Sequence, residues 1–341
     1  MFIVAELSAN HNKDLNLAKE SLYAIKECGA SAVKLQTYTP DSLTLNCKSD
    51  IFKIKSNTIW DNKYLYDLYK EAYMPLEWNV ELFELAKKID LICFSSAFDK
   101  KGVDLLETLN NPIYKIASFE ITDIPLIQYI AKKQKPIILS SGIAIGDEMR
   151  EAIEAIRQVG NNNITILKCT SSYPAPLNSL NLSNMLIFEK KYGVKYGISD
   201  HSIGFHAAII AVSLKASMIE KHFILDKKYG GVDSKFSMDK DEFKQLVQII
   251  KDTKNAIGDT NYKIDSSNIK ENNDEIPQGR EFARSLFVSK DIKKGEIIKA
   301  DNIKSIRPNN GLPPKYLNEI IGKTAKKDLK FGEPLTWDSL K

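Results

Sequence analysis

The chain has 341 residues, 43% hydrophobic and 27% charged, and Lys+Arg 48 against Asp+Glu 44 leaves a net charge of +4. That length suits one large domain with a small companion. The near-neutral charge excludes nucleic acid as the default partner, because such binders concentrate a basic excess. No apolar run is long enough for a membrane helix. Met1–Glu6 carries an early carboxylate and no basic region, so no signal peptide is expected. Cys28, Cys47, Cys93 and Cys169 show no CxxC spacing, which points to a reducing cytoplasm.

Short runs rich in Val and Ile recur at Phe2–Leu7, Ala32–Tyr38, Leu91–Phe98, Ile113–Ser118, Pro136–Gly142, Ile164–Ser171, Val194–Asp200 and Met218–Leu225. Nearly all are apolar on both faces, which predicts buried parallel strands. Helical patterns lie between them, as at Leu15–Cys28, Leu76–Ile89, Ile124–Lys133, Gly146–Val159 and Ile203–Leu214. Another, Lys240–Ile257, follows the last run, and Asp41–Tyr73 reads as a decorated loop with a short helix. This alternation predicts an α/β fold, a closed (β/α)8 TIM barrel in residues 1–260. An open doubly wound sheet is the runner-up, but no glycine-rich dinucleotide fingerprint follows the first strand.

A polar stretch then predicts a linker over 261–282, followed by a small β-rich domain over 283–341. That domain carries a repeat. Asp291–Ile303 aligns without gaps on Asp328–Leu340, with Asp, Lys, Gly, Glu and Asp identical and the apolar positions matched by type. A module of this size is marginal alone and is expected to lean on another surface.

A (β/α)8 barrel gathers its chemistry at the C-terminal strand ends. In order these ends supply Glu6, Lys34 and Gln36, Ser96, Lys115 with Ser118 and Glu120, Ser140, Tyr173, Ser199 with His201, and Glu220 with His222. His201 and His222 fall on adjacent strands and could share one divalent metal, or could be hydrogen-bonded histidines without one. A lysine buried on a strand must meet an anion or shed its charge. Lys34 and Lys115 therefore suggest either a Schiff base or an anionic, phosphorylated substrate, and the rim serines favour the latter. Glu6, Glu120, Glu220 and Asp233 supply acid–base capacity. A third reading is a carbohydrate-binding protein working through its C-terminal module; the full set of rim lysines, histidines and glutamates argues against it.

Glu6-Leu-Ser-Ala-Asn-His-Asn12, Val33-Lys-Leu-Gln36, Tyr114-Lys-Ile-Ala-Ser-Phe-Glu120, Cys169-Thr-Ser-Ser-Tyr-Pro174, Gly197-Ile-Ser-Asp-His201 and Ile219-Glu-Lys-His-Phe223 resemble, in order, motifs of the sialic acid synthase family. Arg284-Ser-Leu286 through Arg307-Pro-Asn-Asn-Gly311 resembles that family's antifreeze-like (SAF) sugar-recognition domain. The resemblance implies condensation of phosphoenolpyruvate with an N-acetylated amino sugar, and it displaces the Schiff-base reading. By motif, it assigns phosphoenolpyruvate to Lys34, Ser96, Lys115, Ser118, Ser140 and Ser199. It assigns the sugar to Glu6, Gln36, Tyr173, Asp233 and Arg307, and a divalent metal, commonly Mn2+ with Mg2+ or Co2+ as alternatives, to His201 and His222. Ser171 stands where the family usually has Asn. The resemblance further implies a domain-swapped homodimer in which Arg307 reaches the N-acetyl group from the other subunit. Lys115 would offset the charge of departing phosphate, and Glu6 or Glu120 would position the attacking water.

Two stretches narrow the branch. Glu6–Lys13 has Leu7-Ser8 where neuraminate synthases usually have Ala-Gly, and Gly231-Val-Asp-Ser-Lys-Phe-Ser237 departs from their usual Gly-Pro-Asp pattern. Both resemble the pseudaminic acid branch, whose acceptor is a 2,4-diacetamido-2,4,6-trideoxy altrose. Val232 and Phe236 suit that less hydroxylated sugar. Neuraminate and legionaminate acceptors are the alternatives.

Overall fold

The computed structural model describes residues 1–55, 59–258 and 279–341, and the chain forms two compact units, Met1–Asp259 and Thr260–Lys341. Most of the linker expected over 261–282 falls outside the described residues.

In the first unit, eight parallel strands close into a barrel in sequence order. They are β1 (Phe2–Glu6), β2 (Ala32–Thr37), β3 (Ile92–Ala97), β4 (Tyr114–Ile116), β5 (Ile137–Ser140), β6 (Ile164–Cys169), β7 (Lys195–Asp200) and β8 (Met218–His222). Pairing of β8 with β1, Glu6 opposite His222, completes the closure. The helices are α1 (Leu15–Glu27), α2 (Pro40–Leu43), α3 (Leu65–Ala72), α4 (Trp78–Lys88), α5 (Lys100–Thr108), α6 (Ile124–Ala131), α7 (Glu148–Gln158), α8 (Met185–Tyr192), α9 (His206–Ser213) and α10 (Lys240–Ile257). The predicted strand Ile113–Ser118 is shorter, because Ser118–Glu120 turn into a 3-10 helix. The long connection after β2 holds two helices, α2 and α3, where one was expected.

The helices form for ordinary reasons. Along α7, Met149, Ala152, Ile153 and Ile156 are buried at helical spacing and face the sheet. Aspartates cap the helices that follow several rim loops. Asp14 accepts from Asn16 and Leu17, Asp99 from Gly102, and Asp123 from Leu126, while Asp239 forms a capping box with Glu242. These caps fix where each rim loop ends. Gly102 has a packing reason: a β-carbon there would lie 3.1 Å from the Thr37 carbonyl oxygen.

Strand periodicity then builds the site. Val4, Ala32, Phe94, Ile138, Leu167 and Met218 form their own buried cluster inside the barrel. Each such side chain stabilises by about 1.5–3 kcal/mol when fully buried if it is large. Because strand side chains alternate with period two, the residue two positions onward shares the same face. Those residues are Glu6, Lys34, Ser96, Ser140, Cys169 and Glu220, and Lys115 stands two beyond Ile113 in the same way. A buried polar layer thus sits on an apolar floor.

In the second unit, β9 (Ser285–Val288) pairs antiparallel with β10 (Ile303–Ile306), and α11 (Leu317–Ile320) follows. The repeat has a structural counterpart. Ile292 and Leu329, Ile298 and Leu335, and Ile303 and Leu340 occupy equivalent positions and are all buried in one core. Asp291 accepts from the Phe331 amide, and Asp328 accepts from the Lys294 amide, both at 2.8 Å. Glu296 and Glu333 each accept from the amide three residues before them. The matched acids therefore close matched turns.

Candidate functional site

The polar layer is an ionised network with almost no exposure. Glu220 Oε1 accepts from Lys115 Nζ at 2.5 Å and from the Ser199 hydroxyl at 2.9 Å, with Lys34 Nζ 3.1 Å away. Lys34 also lies 3.0 Å from Glu6 Oε2, and Gln36 Nε2 donates to Glu6 Oε1 at 2.8 Å. Two ammoniums thus face two carboxylates, and their burial is tolerable only because all four are paired.

Electrostatics divides these groups. Burial opposes charge on Glu6, but Lys34, His222 and Lys115 outweigh it and hold the carboxyl far below the usual range. Burial opposes the Glu220 charge too, and Lys115 and Lys34 outweigh it. Lys34, with two carboxylate neighbours, is held above the ordinary lysine value against its burial. Lys115 is pushed below that value, chiefly by burial, because Glu220 is its main counter-charge and Lys34 repels it. Glu120 stands apart: burial pushes its carboxyl up to about 7, and Oε2 is enclosed without a hydrogen-bond partner among the described residues.

The histidines lie at the neighbouring edge of the layer. His201 and His222 have ring centroids 5.2 Å apart, and Glu6 Oε2 is 3.3 Å from His222 Nε2. The His201 Nδ1 atom is 3.0 Å from the Thr170 carbonyl oxygen, which can only accept. Nδ1 therefore carries a proton, so Nε2 is the nitrogen left to bind a metal once the ring is neutral. Burial opposes charge on His201, but Cys169, the Thr170 carbonyl and Glu6 outweigh it and hold its pKa above the ordinary value. Burial lowers the His222 pKa and favours the neutral ring, whose buried Nδ1 has no hydrogen-bond partner among the described residues. These features suit two imidazole ligands. No group of three or more His, Cys, Asp or Glu side chains arranged for a metal occurs among the described residues.

Aromatic rings wall this edge. Tyr173 lies 4.3 Å from the His201 ring and 5.2 Å from Phe236, and Phe236 packs 4.8 Å from His222. Trp60 closes the wall 5.4 Å from Tyr173. Asp233 lies beneath it, with Oδ2 4.0 Å from His222 Nδ1 and 2.5 Å from the donating Ser8 hydroxyl.

The serines occupy two settings. Ser118 Oγ is 2.8 Å from Ser171 Oγ and accepts from the Ile143 amide at 3.0 Å. A β-carbon at Gly142 would lie 2.2 Å from both hydroxyls, so this cradle requires glycine. Ser96 stands opposite Lys115 in the strand register, with its buried hydroxyl unpartnered among the described residues. Ser140 is buried at the end of β5.

Glu6, Lys34, Gln36, Lys115, Tyr173, Ser199, His201, His222 and Asp233 are therefore joined by direct contacts. Glu220 holds Lys34, Lys115 and Ser199, and Glu6 links Lys34 to Gln36 and His222. His222 leads to Asp233 and, through His201, to Tyr173. Ser96, Ser118, Ser140 and Glu120 stand on the same rim by strand register and loop position. Arg307 belongs to the second unit, just after β10. The site assignment drawn from the sequence left out Glu220, Ser8, Trp60 and Phe236. Glu220 was read there only as a strand-end carboxylate with acid–base capacity, Phe236 as suiting a less hydroxylated sugar and Ser8 as part of a branch-marking stretch, while Trp60 carried no signal.

A model of the NeuB family matches residues 22–262, and one of the SAF domain matches residues 283–341. The pseudaminic acid synthase of Helicobacter pylori is 54% identical over 338 residues, 99% of this chain and 97% of that protein. The pseudaminic acid synthase of Campylobacter jejuni subsp. jejuni serotype O:2 is 46% identical over 335 residues, 98% of this chain and 95% of that protein. Among solved structures, the spore coat polysaccharide biosynthesis protein SpsE of Bacillus subtilis matches with a TM-score of 0.66 at 31% identity, covering 100% of this chain and 95% of that one. With a closed barrel, rim motifs in family order and a family match over most of its length, the chain belongs to the NeuB family, the sialic acid synthases.

Proposed function

We infer that this chain is a transferase that condenses phosphoenolpyruvate with 2,4-diacetamido-2,4,6-trideoxy-β-L-altropyranose, giving pseudaminic acid and phosphate by C–O bond cleavage. The observation that carries the chemistry is the sealed pair Lys34 and Lys115 on one Glu220 oxygen, with hydroxyls around it. Two buried ammoniums and four or more hydroxyls offer a small polyanion both charge and directed donors. Lys34, Ser96, Lys115, Ser118, Ser140 and Ser199 are assigned to phosphoenolpyruvate. Glu6, Gln36, Tyr173 and Asp233 are assigned to the sugar, beside the wall of Trp60 and Phe236.

His201 and His222 would hold a divalent cation, Mn2+ by preference. When bound, such a cation supplies Lewis-acid polarisation of the acceptor carbonyl. The chain's own groups do the rest. Lys115 meets the charge that grows on departing phosphate, and Ser199 keeps Glu220 turned toward both lysines. Glu6 stays ionised and acts as a hydrogen-bond acceptor. Glu120, titrating near neutrality, is the better group to take a proton from the water that adds at C2. Arg307 is assigned to the acetamido group across a domain-swapped homodimer, and a single-chain mass in solution would overturn that assignment. The reaction is placed in the cytoplasm, in keeping with four free thiols; no helix among the described residues is long and apolar enough to cross a membrane.

The test is phosphate release from phosphoenolpyruvate and Mn2+ with each candidate amino sugar supplied separately. The diacetamido-trideoxy sugar is expected to give the highest kcat/KM, and a chelator is expected to suppress release. Oxygen label at C2 of phosphoenolpyruvate should leave with the phosphate; label retained in the sugar acid would sink the C–O cleavage scheme.

A further inference from the structure

Ser8 is held in an unusual backbone state. Its φ is +47°, in the left-handed region that a residue with a β-carbon enters at a cost. It is buried, and its hydroxyl donates to Asp233 Oδ2 at 2.5 Å. The Ala9 amide lies 3.4 Å from the same oxygen. Asp233 Oδ1 receives no hydrogen bond among the described residues. One oxygen of this carboxylate is therefore occupied by the protein and the other is left over.

The loop does not need Ser8 to stay in place. Asn10 donates to the Phe223 carbonyl and to Ser237 Oγ, both at 2.8 Å, and Asn12 donates to the Tyr229 carbonyl at 2.9 Å. Ser237 in turn donates to the Asp233 carbonyl at 2.7 Å. The loop after β1 is thus already tied to the loop after β8, and the strained hydroxyl contact calls for another purpose.

We propose that Ser8 sets acceptor specificity by taking up, with its own hydroxyl, a hydrogen-bonding position on Asp233 that a hydroxyl of the sugar would otherwise fill. The site then matches an acceptor deoxygenated at the end that faces Asp233. A buried carboxylate needs partners, and a site that depends on the substrate for one rejects the analogue lacking it. With Ser8 in place Asp233 Oδ2 makes no such demand, a sugar hydroxyl directed at Oδ2 meets an oxygen already taken, and only Oδ1 stays open to the sugar. This deepens the reading of the enzyme as a user of a 6-deoxy diacetamido sugar, and rests on that reading.

The test compares wild type, Ser8→Gly and Ser8→Ala, loaded with Mn2+ and phosphoenolpyruvate. Two acceptors are used, the 2,4-diacetamido-2,4,6-trideoxy altrose and its 6-hydroxylated counterpart, together with thermal unfolding. Glycine accepts the positive φ, so Ser8→Gly should unfold at or above the wild-type temperature. In both variants the kcat/KM ratio, deoxy over hydroxylated, should fall by ~10-fold or more, mainly through KM of the deoxy sugar. A ratio within about twofold of wild type in both variants overturns the proposal, whatever happens to stability. Failure of wild type to use the deoxy sugar would instead overturn the reading beneath it.

Discussion

Glu220→Gln is expected to lower the unfolding free energy by about 3–5 kcal/mol at neutral pH, the usual loss when one member of a buried ion pair is removed. Glu220 Oε1 meets Lys115, Lys34 and Ser199 at once, and the three charged side chains are almost fully buried. The neutral amide would leave two ammoniums sharing Glu6. Lys115, already pushed down by burial, would lose its main counter-charge and titrate lower still. With the charged ammonium that meets departing phosphate less favoured, turnover should drop by ~10²–10³-fold at neutral pH, the range seen when one preorganised electrostatic group is lost. The remaining activity should be relatively better toward acid. Added inorganic phosphate should restore part of the stability, about 2.7 kcal/mol at one hundred times its dissociation constant, because it binds only the folded lysines. Denaturant unfolding with and without phosphate, and kcat against pH, check this. Unchanged stability together with an unchanged rate would remove Glu220 from the charge network.

The same pair of carboxylates gives the acid side of the stability profile. Glu6 and Glu220 are depressed in the folded protein, so the stability they contribute is present above the unfolded carboxylate range and fades as pH falls through their folded values. Unfolding should therefore become easier on the acid side, below the ordinary glutamate pKa.

Much of the barrel was legible because its signal is local. Strand runs apolar on both faces announce parallel strands, and period two carries the eye from Val4 to Glu6, from Ala32 to Lys34 and from Met218 to Glu220. The repeat in the second unit was legible for the same reason: equivalent residues do equivalent work in caps and core. What stayed hidden depends on distant pairing. Glu220 and Lys115 meet across the barrel from 105 positions apart, so a strand-end carboxylate gave no hint that it holds two lysines. The positive φ of Ser8 has no local signature, since its partner Asp233 is 225 positions away. Trp60 sat in a stretch read as a decorated loop, and only the fold brings its ring to Tyr173 and Phe236. Helix α5 buries Gly102, Val103 and Leu106 on one face, and Gly102, a poor helix former, sits there because the Thr37 backbone leaves no room for a β-carbon. In α8 the apolar residues precede the charged ones instead of alternating with them.

Glu120→Gln should separate stability from catalysis. Burial raises the folded carboxyl from 4.5 to about 7. A raised carboxyl contributes its relative stability below the unfolded pKa, and that contribution is lost as pH climbs to the folded value. The neutral variant lacks this loss. Its advantage over wild type should therefore be nil near pH 4, grow between about 4.5 and 7, and level off above, at up to about 3 kcal/mol from 1.36 kcal/mol per unit. Catalysis should move the other way. If Glu120 accepts the proton of the attacking water, wild-type kcat should rise with pH through about 7 and the variant should lose that limb, with a rate lower by ~10²–10⁴-fold. A variant that is stabilised at alkaline pH yet keeps both its rate and the limb would show Glu120 to be a buried bystander, and would return the proton to another group. Held ionised far below neutrality by Lys34 and His222, Glu6 could not produce a limb near 7, so the position of the limb itself tells the two carboxylates apart.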